Sequence, residues 1–340
     1  MLFFYKEYSG MKLTKDNLNI AINKLGTSKK EQQSDIWKRA IKINYQNKKI
    51  KLNQIEKFKG LSEPPTKKNI THYVSSNFPY LHLRNIIKDF FKLNSIKIKL
   101  ILLIQYKLFR KLNIKFPRFN REYKNFYYNF EGYSFNSNLV KYASFIINQK
   151  RFINEKKINT LEIGAGYGGL CEVSLINKIA SKYIIIDLNE TLSISMNYLC
   201  NSNELIKIPK IYFEKEKIKD EIKGLDNYIV FISVNDYLQN KDYIVKIFSK
   251  EIKMIFNSSS FSEMAPNVFD DYVNFIEKFN HVYLYSSNSR TRYDYGGCNA
   301  KDGSNIIFQG KDLRLNKKWK KIYSSIEYRI NEHTFIGYLG

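Results

Sequence analysis

The sequence predicts an α/β protein with a doubly wound, mostly parallel sheet in residues 151–340 and a helical N-terminal or cap region in residues 1–150. Two observations lead to this prediction. After Lys157, short apolar runs alternate with segments of helical spacing, as in chains that build a sheet from strand–helix–strand units. Several of these runs end in a small or acidic residue, which is typical of parallel strands whose carboxyl ends carry function.

The individual elements follow from the period of the apolar residues. One helix is predicted before the sheet, at Asn138–Gln149. Five parallel strands are predicted at Thr160–Ile163, Tyr183–Ile186, Tyr228–Ser233, Met254–Asn257 and Val282–Tyr285. The helices that accompany them are predicted at Gly169–Ala180, Thr191–Cys200, Tyr243–Ser249 and Asn267–Phe279. A closing pair of strands is predicted at Lys321–Tyr328 and Thr334–Tyr338.

A strongly basic segment, Arg84–Arg121, precedes the sheet and contains Asp89 as its single acidic residue. Its apolar residues recur at helical spacing up to Pro117. One predicted face contains Ile98, Ile101, Leu102, Leu108, Phe109 and Leu112, and Leu100, Leu103 and Ile104 widen it. Such a helix either packs on the sheet domain, which we expect, or lies in a membrane interface.

The formal net charge of the 340 residues is +24. This excess reflects either the amino-acid bias of an AT-rich genome or an anionic partner, such as nucleic acid, an acidic membrane surface or a phosphate-bearing substrate. We find no signal peptide and no apolar run near the roughly 20 residues that span a bilayer. We therefore expect a cytoplasmic protein that binds at most peripherally to the inner face of a membrane. The three cysteines show no CxxC spacing, so no disulfide framework or zinc site is expected.

The loop after the first strand, Leu161–Leu170, fits two cofactor motifs. Gly164, Gly166 and Gly169 match a dinucleotide fingerprint, whereas Glu162 with Gly164, Gly166 and Gly168 matches the acid-x-Gly-x-Gly-x-Gly loop for S-adenosylmethionine. A carboxylate beside a pyrophosphate would be repulsive, but it attracts the cationic methionyl end of S-adenosylmethionine. Asp187 ends the second strand, where a carboxylate can accept both ribose hydroxyls. We therefore predict S-adenosylmethionine as the cofactor and a Rossmann-like class I methyltransferase core.

Two further residues are candidates for cofactor binding. Asp236 follows the third strand and is a candidate for contact with adenine, with Asn235 as its competitor. Asn257 ends the fourth strand, beside the expected position of the methyl group. No metal site is predicted, because Asp270 and Asp271 lack a third ligand and are better explained as a solvated helix face.

The segment Asn257–Met264 (NSSSFSEM), together with the loop from Glu162 and the acidic tip Asp187, resembles bacterial sugar O-methyltransferases found among surface-polysaccharide genes. The resemblance covers roughly Tyr133–Tyr285, and this chain has Asp-Leu-Asn where the family has Asp-Leu-Pro. It implies methylation of a sugar hydroxyl in glycan biosynthesis. Glu263 is the first candidate for the general base, with helix capping as the alternative, and Asp294 is the second.

The loop Asn288–Asn299 is predicted to leave the fifth strand toward the acceptor. Arg290, Arg292 and Tyr293 suit a phosphorylated, acidic or lipid-linked sugar, because guanidinium groups bind anions and aromatic rings cover sugar faces. RNA is the alternative acceptor, but the chain has neither an NPPY-type tetrapeptide nor a recognisable RNA-binding module, which argues against nucleic acid. A third hypothesis is a cofactor-binding scaffold without catalysis.

Overall fold

A computed structural model describes residues 13, 17–26, 28, 95–119, 128–155, 157–261, 264, 266–289, 318–327 and 332–340. Its helices are α1 (Leu18–Leu25), α2 (Ser95–Lys111), α3 (Ser137–Phe152), α4 (Gly169–Ile176), α5 (Asn189–Cys200), α6 (Ile218–Ile222), α7 (Val234–Phe248) and α8 (Pro266–Ile276). Its strands are β1 (Tyr128–Phe130), β2 (Tyr133–Phe135), β3 (Thr160–Ile163), β4 (Lys182–Asp187), β5 (Lys210–Tyr212), β6 (Tyr228–Ser233), β7 (Met254–Ser258), β8 (Val282–Ser289), β9 (Trp319–Glu327) and β10 (Glu332–Leu339). Within these ranges, no helix is both long enough and apolar enough to cross a membrane.

The main sheet has eight strands in the order β5-β6-β4-β3-β7-β8-β10-β9. The strands from β5 to β8 are parallel, and β10 runs antiparallel between β8 and β9. The strands β4, β5 and β6 lie on one side of β3 in the sheet, and the next strand in the chain, β7, lies on its other side. This reversal places a topological switch point at the carboxyl ends of β3 and β7. The doubly wound α/β fold predicted from the sequence is confirmed.

The central strands are buried on both faces, which explains their nearly continuous apolar sequences. Successive side chains alternate between two hydrophobic clusters, so Ile184 and Ile186 pack on one face of β4 and Tyr183 and Ile185 on the other. Because β3 and β6 have the predicted bounds, apolar content alone was sufficient to locate them.

Several predicted bounds differ from the structure. Strand β5 was not predicted. The first part of α7, which begins at Val234 and is capped by the Ser233 side chain, was not predicted either, and non-helical backbone at Asn240 (φ −130°, ψ 23°) separates it from the second part, where the helix Tyr243–Ser249 was predicted. Helix α4 ends at Ile176, before Lys178 at φ 57°, rather than at Ala180. Helix α2 ends at Lys111, well before Pro117.

The predicted packing of α2 on the rest of the protein is confirmed for one of its faces. Leu102, Tyr106 and Phe109 are buried in a cluster that also contains residues of α3, α4, α5 and β4. Around Tyr106 lie aromatic rings of the β1–β2 hairpin, with 5.6 Å between its centroid and that of Phe135. Leu112 was expected on the same face but is exposed, because the helix ends one residue earlier.

The end of α1 and the residues after it are hydrogen-bonded to the start of α5. Ser28 Oγ accepts from the backbone N–H of Asn189 at 2.8 Å and donates to Glu190 Oε2 at 2.7 Å, and the Asn189 side chain donates to the carbonyl oxygen of Leu25 at 2.5 Å. Ser28 therefore caps α5 from a distant part of the sequence. The cap lies one residue beyond the Asp187-Leu188 turn, so the N-terminal segment stabilises the same edge of the sheet as the glycine loop. The division of the chain at residue 150 stays a prediction.

Candidate functional site

The loop between β3 and α4 has three glycines in the left-handed region, Gly164 at φ 75°, Gly166 at φ 61° and Gly168 at φ 86°. Residues other than glycine rarely adopt this backbone conformation. These are the three glycines of the acid-x-Gly-x-Gly-x-Gly pattern. Gly169, which the dinucleotide pattern requires instead, is needed for packing, because a Cβ there would lie 2.4 Å from the Tyr167 ring.

The three left-handed glycines have different surroundings. A Cβ on Gly164 would collide with the Ser260 side chain, and a Cβ on Gly168 would lie 2.8 Å from Leu199. A Cβ on Gly166 would have no atom within 4 Å. The middle of the loop therefore borders open space, whereas its two ends are held by neighbouring elements.

Glu162 is buried in β3, directly before the loop. Its Oε2 accepts a hydrogen bond of 2.7 Å from the hydroxyl of Tyr183 on the adjacent strand. Burial raises the pKa of the Glu162 carboxyl to about 8, and the nearby charge of Asp187 adds to this, although the Tyr183 hydrogen bond acts in the opposite direction. Glu162 is therefore mostly protonated at neutral pH until a cation approaches it.

Asp187 ends β4 and faces the same loop. Its Oδ2 accepts from the backbone N–H of Gly166 at 2.9 Å, and its Oδ1 accepts from that of Leu188 at 2.7 Å. Asp187 thus holds the glycine loop against the end of β4.

Asn257, at the end of β7, is fully buried at the switch point. Its amide nitrogen donates to the Ile163 carbonyl at 2.8 Å and to Ser260 Oγ at 2.5 Å. Its oxygen accepts from the backbone N–H of Phe261 at 3.2 Å and from the side chain of Asn288 at 2.9 Å. Asn257 therefore joins β3, β8 and the turn after β7. A direct contact with the cofactor would have to replace one of these bonds, and it stays a prediction.

A cation from α3 reaches the same turn. The ammonium group of half-buried Lys141 donates to Ser259 Oγ at 2.9 Å, and Ser259 has a left-handed backbone at φ 67°. The backbone N–H of Ser259 also donates to the Ser287 carbonyl at 2.8 Å. The turn that leads toward Glu263 is thus fixed from both α3 and β8.

Asp236 lies in the first turn of α7, beyond the end of β6. Its Oδ2 accepts from Tyr212 at 2.7 Å and from Ser233 Oγ at 2.5 Å. Ser233 pairs with Asp187 across β4 and β6. Asp236 therefore lies on the side of the site that leads away from the β3–β7 switch point, and its predicted contact with adenine is untested.

Five predicted site residues lie outside the described residues: Glu263, Arg290, Arg292, Tyr293 and Asp294. Their predicted roles stay predictions. Among the described residues, no group of three or more His, Cys, Asp and Glu is arranged to hold a metal ion. Asp271 accepts hydrogen bonds from Tyr237 and from Lys241.

Sequence reasoning missed Tyr183, Ser260 and Lys141. Tyr183 resembles any apolar strand residue until the register of β4 places it beside β3. Ser260 is one of three consecutive serines, and the sequence gives no reason to prefer it. Lys141 is 118 residues away from Ser259, so only the tertiary structure brings the two together.

No protein-family model and no curated protein matches this chain. Among solved structures, the methyltransferase domain of bacterial CtHen1 is similar, with 14% identity, a TM-score of 0.40 and coverage of 60% of this chain and 100% of that domain. The rRNA methyltransferase AviRa from Streptomyces viridochromogenes is 7% identical with a TM-score of 0.37, and 59% of this chain and 84% of that chain are covered. Phosphoethanolamine N-methyltransferase 2 from Haemonchus contortus, in complex with S-adenosyl-L-methionine, is 9% identical with a TM-score of 0.37, covering 57% of this chain and 51% of that chain. Because the identities and TM-scores are this low, the fold is assigned from the strand order of this sheet and not from these similarities.

Proposed function

We propose that this protein is an S-adenosylmethionine-dependent O-methyltransferase that acts on a sugar hydroxyl in surface-glycan biosynthesis. The observation that carries the proposal is a glycine loop flanked by two buried carboxyl groups: Glu162 on β3 directly before it, and Asp187 at the end of β4, which accepts from the Gly166 N–H. Open space at Gly166 leaves room for a ligand against the backbone.

The residues fit the proposed cofactor better than a dinucleotide. The two carboxyl groups suit an ammonium group and a pair of ribose hydroxyls, whereas a pyrophosphate would lie beside the Asp187 carboxylate with no cationic side chain among the loop residues 162–169 to balance it. When bound, S-adenosylmethionine supplies an electrophilic methyl group. Asp187 then orients the ribose, and Glu162, on losing its proton, balances the ligand's ammonium charge.

The acceptor is assigned to the edge formed by the ends of β7 and β8. The turn at Ser259, held by Lys141 and Ser287, sets the direction in which the chain continues toward Glu263. A sugar hydroxyl must lose its proton as it attacks, and Glu263 is the proposed base, with Asp294 as the second candidate. Arg290, Arg292 and Tyr293 are proposed to bind an acidic or phosphorylated sugar. The sugar itself is proposed from the resemblance of residues 257–264 to sugar O-methyltransferases.

Isothermal titration tests the cofactor. We expect binding of S-adenosylhomocysteine and none of NADH, with a loss of about 1–3 kcal/mol for Asp187→Ala because a hydrogen bond to a charged group is removed. Asp226→Ala is the control, since this exposed carboxylate precedes β6 at the opposite end of the strands. An Asp187→Ala protein with unchanged affinity would exclude the ribose assignment.

A labelled methyl donor distinguishes the acceptors. Transfer to glycan extracts, together with a missing methyl group in the surface glycan of a deletion strain, supports the sugar. The net charge of +24 makes RNA the second candidate, and transfer to RNA alone would replace the sugar assignment. Cofactor binding without transfer to either would favour the scaffold hypothesis.

A further inference from the structure

Helix α2 has apolar side chains on two opposite faces. Leu102, Tyr106 and Phe109 are buried in the core, whereas Leu100 is 52% exposed and Ile104 is 60% exposed on the other side. Five large apolar side chains are exposed among the described residues, and three of them, these two and Leu112, lie on α2 or directly after it. The concentration of such side chains on one helix indicates a contact surface.

Two lysines continue the exposed face. Lys107 and Lys111 are exposed and lie three and seven residues after Ile104, so Leu100, Ile104, Lys107 and Lys111 form one line along the helix, here called the α2 stripe. Residues 95–119 contain seven Lys or Arg and no Asp or Glu. The segment that carries the stripe therefore contributes only positive charge, of which Arg118 is paired with Glu204.

We infer that the α2 stripe binds the surface of an anionic lipid bilayer. A helix lying parallel to a membrane inserts apolar side chains at the level of the acyl chains and leaves lysines among the headgroups, and the stripe offers both on one line. At 17 residues, α2 is about 25 Å long, enough to span several headgroups.

Two other occupants fit less well. Two copies of the protein meeting through this stripe would place Lys107 and Lys111 of each copy against either the lysines or the apolar side chains of the other, and both arrangements are unfavourable. Nucleic acid would suit the lysines but not the exposed Leu100 and Ile104, which offer phosphates and sugars no hydrogen bond. The inference is independent of the proposed function, since neither the glycine loop nor the acceptor site contributes to it.

Sedimentation of the full chain with vesicles tests the inference. We expect binding to vesicles of phosphatidylcholine with about one third phosphatidylglycerol, none to phosphatidylcholine alone, and release near roughly 0.5 M salt because exposed charges are then screened. The double variants K107E/K111E and L100S/I104S should each bind at least tenfold more weakly. The control K246E/K250E changes two exposed lysines at the same spacing near the end of α7 and should bind like the unchanged protein.

Each alternative explanation of the α2 stripe predicts a different experimental result. Equal loss of binding in the α7 control and in K107E/K111E would reduce the effect to net charge and overturn the inference. A concentration-dependent dimer that L100S/I104S abolishes, without vesicle binding, would identify a second copy as the occupant. Binding to a short RNA that K107E/K111E weakens, again without vesicle binding, would identify nucleic acid. Unchanged melting temperatures of the variants establish that the fold is intact.

Discussion

The hydroxyl of Tyr183 on β4 donates to the carboxyl group of Glu162 on β3 over 2.7 Å, and Glu162 lies two residues before the first glycine of the loop. Both side chains are buried, and burial raises the pKa of Glu162 to about 8 and the pKa of Tyr183 well above its usual value. The pair is therefore neutral at pH 7 in the free protein. A cationic ligand above it would be paired with a carboxyl group that must first lose its proton.

Cofactor affinity should consequently depend on pH through Glu162. Because the free carboxyl has a pKa of about 8 and a bound cation lowers it, affinity should rise with pH up to about 8 and level off above. At pH 7 binding should therefore release protons from this group, measurable by titration calorimetry in buffers of different ionisation enthalpy. Glu162→Gln should abolish that release. The ligand's own amino group also titrates near this pH, so the contribution of Glu162 is measured as the difference in proton release between the unchanged protein and Glu162→Gln.

Tyr183→Phe should shift this pH dependence upward. The Tyr183 hydrogen bond lowers the pKa of Glu162, so its removal raises that pKa further and weakens binding near pH 7.5. The free energy of unfolding should fall by about 1 kcal/mol for the lost hydrogen bond. Tyr228→Phe is a matched control, because its hydroxyl donates to Glu251 at 2.5 Å at the start of β6, away from the loop. An identical pH profile in Tyr183→Phe and the unchanged protein would contradict the role given to this pair.

Alanine variants of the loop glycines should distinguish an effect on stability from an effect on cofactor affinity. Alanine at Gly166 or Gly168 carries the strain of a left-handed backbone, about 1–2 kcal/mol. Gly168→Ala also presses on buried Leu199, which should cost about 1–3 kcal/mol more. Gly166→Ala meets no protein atom, so it should melt at the higher temperature of the two and still lose cofactor affinity, because its methyl group occupies the ligand's space. Full affinity in Gly166→Ala would place the ligand elsewhere.

The fold and the cofactor loop were predictable because their determinants are local. Continuous apolar runs mark β4 and β6, and Glu162, Gly166 and Asp187 follow a fixed spacing. Strand β5 was missed because it has three residues, of which one is Lys210, buried with its ammonium on the Leu205 carbonyl. The Tyr183–Glu162 pair depends on strand register, and the Ser28 cap on a contact across 161 residues. Neither relationship leaves a pattern in the sequence.

Ser28→Ala should destabilise the protein although Ser28 lies far from the sheet in sequence. It removes the acceptor for the Asn189 N–H and one donor to buried Glu190, so we expect a loss of about 1–2 kcal/mol, as for other helix caps. Because α5 begins directly after the Asp187-Leu188 turn, cofactor affinity should fall by a few-fold as well. Chemical denaturation and calorimetry measure the two effects. A variant as stable as the unchanged protein would show that the docking of α1 does not support this edge.

The variant Glu263→Gln tests whether Glu263 is the general base. The turn after β7 is fixed by Asn257 and by the contact of Lys141 with Ser259, and the chain reaches Glu263 four residues later. If Glu263 is the base, the glutamine variant keeps its shape but accepts no proton, so it should bind cofactor normally and turn over at least about 100-fold more slowly. If Glu263 instead caps the following helix, about 1 kcal/mol of stability should be lost and most turnover retained. Cofactor affinity, melting temperature and single-turnover rate distinguish the two, with Asp294→Asn measured in parallel. Near-normal turnover in a stable Glu263→Gln protein, combined with a slow Asp294→Asn protein, would move the base to Asp294.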